Sequence, residues 1–168
     1  MLKINDIKNA LKDEAGFRVR QALKAIYGQG VDNWDDVTVF SKDLRKSLKE
    51  DCPLDLKAKR YDSSDKKTIK VVFDYDGVFE AVLMRHNDRN TVCVSTQVGC
   101  ALACDFCFTG KQGFKRSLKA DEIVNQVLFF VRTLKKEGQR VTNVVFMGMG
   151  EPFNNYEEVM KAINLLND

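Results

Sequence analysis

Three cysteines lie close together in the segment GCALACDFCFTG, residues 99–110. Cys100, Cys104 and Cys107 follow a C-x3-C-x2-C spacing in a chain that has only five cysteines. A structural zinc site normally closes with four ligands, and disulfides use thiols in pairs. A cubane iron–sulfur cluster has four irons, so three thiolates would leave one iron open to another ligand. The spacing therefore favours an iron–sulfur cluster.

Two other uses of these thiols remain open at this point. Zinc could be held with Cys93 or the lone His86 as the fourth ligand, although zinc ligand pairs more often lie in two separated knuckles. The cysteines could also be redox-active or structural thiols. If the metal is zinc, the alternative function is that of a binding protein, namely a zinc-dependent RNA-binding module.

Composition indicates a folded protein with no strong charge signal. The chain has 168 residues, of which 44% are hydrophobic, and a net charge of +3 that is too small to indicate a nucleic-acid binder by itself. The sequence shows no apolar signal segment after Met1, and no apolar run approaches the roughly 18–20 residues that span a bilayer. We expect a cytoplasmic protein without a membrane partner, in which clustered thiols favour metal or redox chemistry.

The first half of the chain divides into two predicted regions. Residues 1–52 have helical apolar spacing with a basic outer face, and Ser41 is placed to cap a short helix. We expect this region to be a small helical domain. Its basic face is compatible with RNA binding, but a solvated helix face is the favoured interpretation. Residues 53–90 predict a charged connector, Lys57–Lys67, followed by a β-hairpin around Asp76-Gly77.

Residues 91–168 alternate between strand and helix patterns. The predicted elements are a strand Thr91–Thr96, the cysteine loop, a helix Ala120–Lys136, a buried parallel strand Val141–Met147, the loop Gly148–Pro152 and a helix Tyr156–Leu166. This βαβα order predicts an α/β fold with parallel strands. Such folds place their chemistry beyond the carboxyl ends of the strands, where both loops would lie.

The motifs resemble those of a known family. The pattern C-x3-C-x-aromatic-C, with Phe106 before the last cysteine, is the signature of the radical S-adenosylmethionine (SAM) superfamily. The segments TVCVSTQVGCALACDFCFTGKQGFKRSL and NVVFMGMGEPFNN resemble the RlmN/Cfr family of adenosine-C-methylating RNA enzymes, and GFRVRQALKAIYGQG resembles its helical accessory domain. The resemblance implies the N-terminal part of a partial (β/α)6 barrel, preceded by that domain and a β-hairpin.

The resemblance assigns the cofactors and their ligands. Cys100, Cys104 and Cys107 would hold a [4Fe–4S] cluster, and SAM would bind the open iron. Gly150 and Glu151 would contact SAM, because glycine lets the backbone approach a ligand and a carboxylate can pair with the SAM ammonium. Phe106 would lie at the cofactor site. An external donor would supply the electron.

The resemblance also assigns two catalytic residues. Cys93 matches the family's resolving thiol, which closes the reaction through a transient disulfide and should have raised thiolate character. Glu80 matches the carboxylate that accepts the ring proton. Without the resemblance, Cys93 is equally well interpreted as a buried strand residue, and Glu80 is more often a solvent-facing one.

A basic segment follows the cysteine loop. Its cations are Lys111, Lys115, Arg116 and Lys119, and Phe114 lies among them. Beside a reactive site, these side chains could contact RNA phosphates while Phe114 stacks on a base. A solvated loop is the equally weighted alternative.

The resemblance implies a radical SAM methyltransferase that modifies C2 of an adenosine in 23S rRNA, with tRNA as a candidate second substrate. C8 methylation of the Cfr kind and another radical SAM activity are the alternative enzyme functions. The family core has about six βα units, whereas this chain has room for about two and has no counterpart of the methyl-carrying C-terminal cysteine. We therefore expect an N-terminal half that does not complete methyl transfer alone. The sequence does not indicate an oligomeric state.

Overall fold

A computed structural model of the chain describes residues 1–167, so the last residue of the predicted core region, Asp168, lies outside the described residues. The described chain forms two compact units, Met1–Leu56 and Lys57–Asn167.

The first unit is helical. Its elements are α1 (Ile4–Ala10), α2 (Gly16–Leu23), a π-helical turn (Lys24–Gly28), a 3-10 turn (Trp34–Asp36) and α3 (Lys42–Asp51). The Ser41 hydroxyl accepts a hydrogen bond from the Leu44 N–H at 3.2 Å, which caps α3 as predicted. Trp34 is buried, donates from its indole N–H to the Cys52 carbonyl at 2.7 Å and stacks near Phe40. These contacts form a small core of their own.

The second unit is built on a five-stranded sheet. Its strands are β1 (Lys59–Asp62), β2 (Thr68–Asp74), β3 (Val78–Arg85), β4 (Asn90–Cys93) and β7 (Asn143–Val145), in the order β1-β2-β3-β4-β7. Only the β4–β7 pair is parallel. A second, two-stranded sheet pairs β5 (Gln97–Gly99) with β6 (Phe114–Ser117). The helices are α4 (Phe108–Lys111), α5 (Ala120–Lys135) and α6 (Tyr156–Asn167).

One face of the main sheet is buried and the other is more open. Alternate residues such as Phe73, Phe79 and Leu83 are fully buried, and Phe73 makes an edge-on contact with Phe129 of α5 at 6.0 Å between ring centres. Helix α5 therefore covers this face. The alternate positions of β2 and β3, which point to the opposite face, are half-buried or exposed.

The unpredicted strands β5 and β6 and the three elements that follow differ from the sequence prediction. The connector Lys57–Lys67 contains β1, which pairs with β2 although all four of its residues are exposed. The predicted strand Thr91–Thr96 ends at Cys93. The Val94 N–H still donates to the Val145 carbonyl of β7, whereas Ser95 bonds to Gln126 of α5 and Thr96 to Met149 in the loop after β7. The predicted strand Val141–Met147 is shorter and is not buried, since β7 lies at the edge of the sheet.

Candidate functional site

The loops that follow the two parallel strands are bonded to each other. The Gly148 N–H donates to the Val94 carbonyl at 3.1 Å. The Thr96 and Gln97 N–H groups both donate to the Met149 carbonyl, at 2.8 and 3.2 Å. The segment Gly148–Pro152, here called the glycine loop, is therefore joined through its backbone to the residues that lead into the cysteine loop.

Ser95 connects three parts of this unit. It is fully buried, and its hydroxyl donates to the Glu80 carbonyl at 2.6 Å and accepts from the Met149 N–H at 2.9 Å. Its backbone N–H and carbonyl bond to the side-chain amide of Gln126, at 2.8 and 3.0 Å. The Gln126 amide thus satisfies the backbone N–H and carbonyl of Ser95, as the backbone of a neighbouring strand would. Through its hydroxyl, Ser95 joins the glycine loop to β3.

Gln97 and Gly150 fix the end of the glycine loop. The Glu151 N–H donates to the Gln97 side-chain oxygen at 3.0 Å, and the Gln97 amide donates to the Ser117 hydroxyl at 3.3 Å. Gly150 has a φ of 94°, and a Cβ there would lie 2.5 Å from the Gln97 Cβ. Only glycine fits both the conformation and the space.

The Glu151 carboxylate lies at the open end of this junction. One of its oxygens accepts from the Phe153 N–H at 3.0 Å, and the side chain is half-buried. A carboxylate has lone pairs for further donors, so Glu151 can accept from a ligand ammonium without losing this bond. Nearby, the buried Asn155 amide donates to the carbonyls of Thr96 and Leu118, at 2.9 and 2.8 Å.

The cysteine loop, residues 100–113, connects β5 to β6 of the small sheet. The N–H of the buried Cys100 donates to the Gly113 carbonyl at 3.1 Å. Gly99 has a φ of 75°, and a Cβ there would lie only 1.8 Å from the Gly113 oxygen, so the two ends of the loop approach closely. Cys104 and Cys107 are half-buried, and the Cys107 N–H donates to the Cys104 carbonyl at 2.9 Å.

Cys107 stands directly before α4. The backbone N–H groups of Gly110 and Thr109 hydrogen-bond to its sulfur, which lowers the pKa of this thiol below its ordinary value. Such bonds favour the thiolate, which is the form that binds metals.

The donor set fits a thiolate-held cluster. The loop offers three soft sulfur ligands within eight residues, and all five cysteines of the chain are free thiols. Within residues 1–167, no three His, Cys, Asp or Glu side chains are already gathered as a metal-binding group. The Cys100–Gly113 bond and the close approach of Gly99 to Gly113 fix the two ends of the loop. Phe106, between two of these cysteines, is 94% exposed.

Glu80 and Cys93 lie on the more open face of the main sheet. Val82 stands opposite Cys93 in the register, and Glu80 is two residues before Val82, so all three share this face. The Glu80 carboxylate is 3.2 Å from the Lys70 ammonium. Cys93 is half-buried, and its burial raises the pKa of its thiol, with a smaller opposing effect from a hydrogen bond to the Met147 backbone. The direction of this pKa shift is opposite to the raised thiolate character expected for Cys93.

The structure separates Arg116 from the other predicted RNA contacts. Its guanidinium donates to the Tyr75 and Asp76 carbonyls, at 2.5 and 2.9 Å, and to both Glu122 oxygens at 2.8 Å. These bonds tie β6 to the β2–β3 turn and to α5, so Arg116 is a structural residue rather than a free cation. Lys111, Lys115 and Lys119 are exposed, and the Lys115 ammonium lies 3.5 Å from the Asp76 carboxylate.

Sequence reasoning did not identify Ser95, Gln97, Gln126 and Asn155, the residues that join the site together. A usable signal exists for Gln126, which interrupts the apolar stripe of α5 with a buried amide. Buried amides need partners, and this position therefore indicates a hydrogen bond to backbone.

No helix within residues 1–167 has the length and apolar character needed to cross a bilayer.

Two family models match separate parts of the chain. The model of the Radical SAM superfamily matches residues 94–168, and that of the ribosomal RNA large subunit methyltransferase N-terminal domain matches residues 8–54. The first contains the cysteine and glycine loops, and the second falls within the helical unit.

Curated relatives match along nearly the whole chain. A protein of Staphylococcus haemolyticus named "Probable dual-specificity RNA methyltransferase RlmN" is 44% identical over 90% of this chain and 43% of its own length. The protein of the same name from Staphylococcus aureus is 41% identical over 99% of this chain and 47% of its own length. The chain thus spans about half the length of these relatives.

A solved structure agrees with these matches. The crystal structure of a radical SAM methyltransferase from Sphaerobacter thermophilus is 40% identical, with a TM-score of 0.85 over 99% of this chain and 51% of that one. The predicted α/β fold, as the N-terminal part of a radical SAM core with its accessory domain, is thereby confirmed. With both family models matched in this order, the chain belongs to the RlmN family of the radical SAM superfamily and corresponds to the N-terminal half of its members.

Proposed function

We propose that this chain is the cluster- and SAM-binding half of an enzyme that methylates C2 of an adenosine in 23S rRNA and in tRNA. The observation that carries the proposal is the bonded junction between the segment after β4, which leads through β5 into the cysteine loop, and the glycine loop after β7. Ser95 in this junction also bonds to the Glu80 carbonyl of β3. The names of the two staphylococcal relatives support an RNA substrate.

Three cysteines and the glycine loop have cofactor roles in this proposal. Cys100, Cys104 and Cys107 would hold a [4Fe–4S] cluster, with Phe106 beside it, and Gly150 and Glu151 would hold SAM. When bound and reduced by an external donor, these cofactors supply the radical and methyl-transfer chemistry. The buried bonds from Ser95 and Gln97 keep the glycine loop in one conformation, so that binding SAM costs little ordering.

Glu80 and Cys93 would act on the bound adenosine. Glu80 accepts the ring proton, for which its carboxylate must turn from Lys70 toward the base. Cys93 provides the thiol that releases the product through a transient disulfide with a methyl-carrying cysteine from outside residues 91–167. Because burial disfavours the Cys93 thiolate in this structure, its activation would require a nearby base or the ligands.

The first test is the metal. We expect the chain, reconstituted without oxygen, to bind about four iron and four sulfide ions and to show broad visible absorption. A colourless protein with one zinc ion would instead support the zinc-dependent RNA-binding module and contradict the proposal.

The second test is the reaction. We expect the reconstituted chain alone to form no C-methylated adenosine on rRNA or tRNA, because the methyl-carrying cysteine is not among its residues. A chimera in which this chain replaces the matched part of the Staphylococcus aureus relative should form 2-methyladenosine, measured by mass spectrometry of digested RNA. Formation of 8-methyladenosine would instead support the Cfr-like alternative.

Controls in the chimera separate the two catalytic roles from folding. Glu80→Gln and Cys93→Ala should both keep the iron content and abolish product. A Glu80→Gln chimera that remains fully active would contradict the role given to Glu80. A cytoplasmic location and an external electron donor belong to the same proposal.

A further inference from the structure

The face of the main sheet that carries Glu80 and Cys93 extends over β1 and β2. On these strands it carries two lysines beside one tyrosine ring. Tyr61 stands opposite Lys70, Lys59 opposite Val72, and Val72 opposite Glu80. Directly paired residues point to the same side of a sheet. The side chains of Lys59, Tyr61 and Lys70, here called the lysine–tyrosine strip, therefore share the face of the two proposed catalytic residues.

The strip is accessible and its side chains are in contact. The Tyr61 side chain is 43% exposed, and that of Lys70 is 46% exposed. The Lys59 and Lys70 ammonium groups lie 5.1 and 5.7 Å from the centre of the Tyr61 ring. Two cations are thus held beside one exposed aromatic ring.

This combination matches the chemistry of a single-stranded nucleic acid. Single-stranded binders place cations along the backbone and aromatic rings under the bases, and each stacked base gains affinity that is largely independent of sequence. An acidic peptide would also match the lysines but would gain much less from the ring.

The distance to the proposed reaction site is suitable. Neighbouring strands lie about 4.8 Å apart, so β1 is about 10 Å from β3 and Glu80. At about 3.4 Å per stacked nucleotide, this separation corresponds to about three nucleotides. A nucleotide on Tyr61 would then be a close neighbour of the adenosine at Glu80.

Lys70 links the strip to the proposed base. Its ammonium lies 3.2 Å from the Glu80 carboxylate and also near the Tyr61 ring. A phosphate that draws Lys70 toward itself would weaken this ion pair and release Glu80 toward the base. Asp74 lies on the same face near the hairpin turn, and its negative charge marks the end of the cationic region.

We propose that the lysine–tyrosine strip binds the RNA segment next to the target adenosine, with one base stacked on Tyr61 and phosphates at Lys59 and Lys70. This inference rests on the proposed function and deepens it, because it names the surface that holds the substrate strand.

The test uses the complete chain without cluster or SAM and a short labelled single-stranded RNA of adenosines and uridines. Affinity is measured by fluorescence anisotropy at several salt concentrations. We expect Tyr61→Ala to weaken binding about ten-fold and Tyr61→Phe to change it little, because stacking needs the ring and not the hydroxyl. Lys59→Ala and Lys70→Ala should each weaken binding and lower the slope of log affinity against log salt by about 0.7.

Arg60→Ala is the matched control. Arg60 lies between Lys59 and Tyr61 on the same strand but points to the opposite face, where it pairs with Asp62. It removes the same charge as Lys59→Ala, and we expect it to leave RNA binding nearly unchanged. Equal losses in Arg60→Ala and Lys59→Ala would show a general charge effect and overturn the inference.

Two further outcomes distinguish this inference from the proposed function. Binding by the parent chain that persists undiminished in the Tyr61 and lysine variants overturns the strip but leaves the proposed function intact. No RNA binding by the parent chain contradicts both. Tighter binding of an oligoglutamate peptide than of RNA, with no effect of Tyr61→Ala, would assign the face to an acidic protein and overturn the inference.

Discussion

The glycine loop follows β7 and the cysteine loop follows β5, and the protein holds the two loops in different ways. Buried partners such as Ser95 and Gln97 bond to successive residues of the glycine loop. The cysteine loop is fixed mainly at its ends, and Phe106 within it is 94% exposed. The difference teaches that buried hydrogen bonds fix the glycine loop along its length, whereas the cysteine loop is fixed by the fold mainly where it joins the small sheet.

The largest expected effect is on the metal and not on the fold. Cys104→Ala should reduce iron from about four ions per chain to near zero, because three thiolates would be the whole protein ligand set of the proposed cluster. The urea unfolding midpoint of the metal-free chain should stay unchanged, since Cys104 is half-buried in a loop fixed at its ends. Cys52→Ala is the control and should keep the iron. Full iron content in Cys104→Ala would contradict the ligand assignment.

The second largest expected effect is on the free energy of unfolding, and it concerns Gln126, which bonds to Ser95 behind the glycine loop. Gln126→Leu should lower the free energy of unfolding by about 2–4 kcal/mol, because it leaves the buried N–H and carbonyl of Ser95 without partners. Gln112→Ala, in the exposed part of the cysteine loop, should change it by less than about 0.5 kcal/mol. Similar urea unfolding curves for Gln126→Leu and Gln112→Ala would contradict the conclusion that the glycine loop is held more firmly than the cysteine loop.

Two glycines with positive φ provide a matched pair. Gly150→Ala combines strain with a close approach to Gln97 and should cost roughly 2–3 kcal/mol. Gly113→Ala, at a φ of 74° but with open space around it, should cost about 1 kcal/mol. Thermal or urea unfolding measures both, and a larger loss for Gly113→Ala would show that crowding at Gln97 is unimportant.

The basic segment contains one strongly bonded cation, Arg116, and an exposed one, Lys115, whose substitutions should differ in their effect on stability. Arg116→Lys should cost about 1–2 kcal/mol of unfolding free energy, because a lysine cannot reproduce the paired bonds to Glu122 and the bonds to the turn carbonyls. The exposed Lys115→Ala should cost less than about 0.5 kcal/mol. An Arg116→Lys variant with unchanged unfolding free energy and weaker RNA binding would contradict the structural role and support an RNA contact by Arg116.

The smallest effect lies away from both loops. Arg85 donates to both Glu137 oxygens and holds the pKa of Glu137 below its ordinary value of 4.5. The pair therefore stabilises the fold above that value, and this stabilisation is lost as pH falls through the lowered pKa. Solvent screens Glu137, so the contribution is about 0.2–1 kcal/mol. Glu137→Gln should make urea unfolding less sensitive to acid, and an unchanged pH profile would contradict this.

Local pattern was sufficient for some elements of this fold. The apolar stripe of α5 and the Asp76-Gly77 turn predict the helix and the hairpin to within one residue or so, because their signals are periodicity and turn conformation. β1 and β6 were missed since both are short and largely exposed, so that their only signal is pairing with a strand elsewhere.

The candidate site shows the same limit more sharply. The three cysteines lie within eight residues, so the sequence alone shows their spacing and predicts a cluster site. The partners of Arg116 include carbonyls 40 and 41 positions earlier in the chain, and no local pattern indicates them. Likewise, the burial that raises the pKa of Cys93 depends on elements packed around β4 and not on its neighbours in sequence.

Ser95 has a consequence for the order of assembly. Its partners Glu80, Gln126 and Met149 are 15, 31 and 54 residues away along the chain. Contacts between distant segments require closing long loops and form slowly compared with helices and hairpins. The glycine loop therefore reaches its final form only when β3, α5 and β7 are in place, and cofactor loading is expected to follow folding of this unit rather than to initiate it.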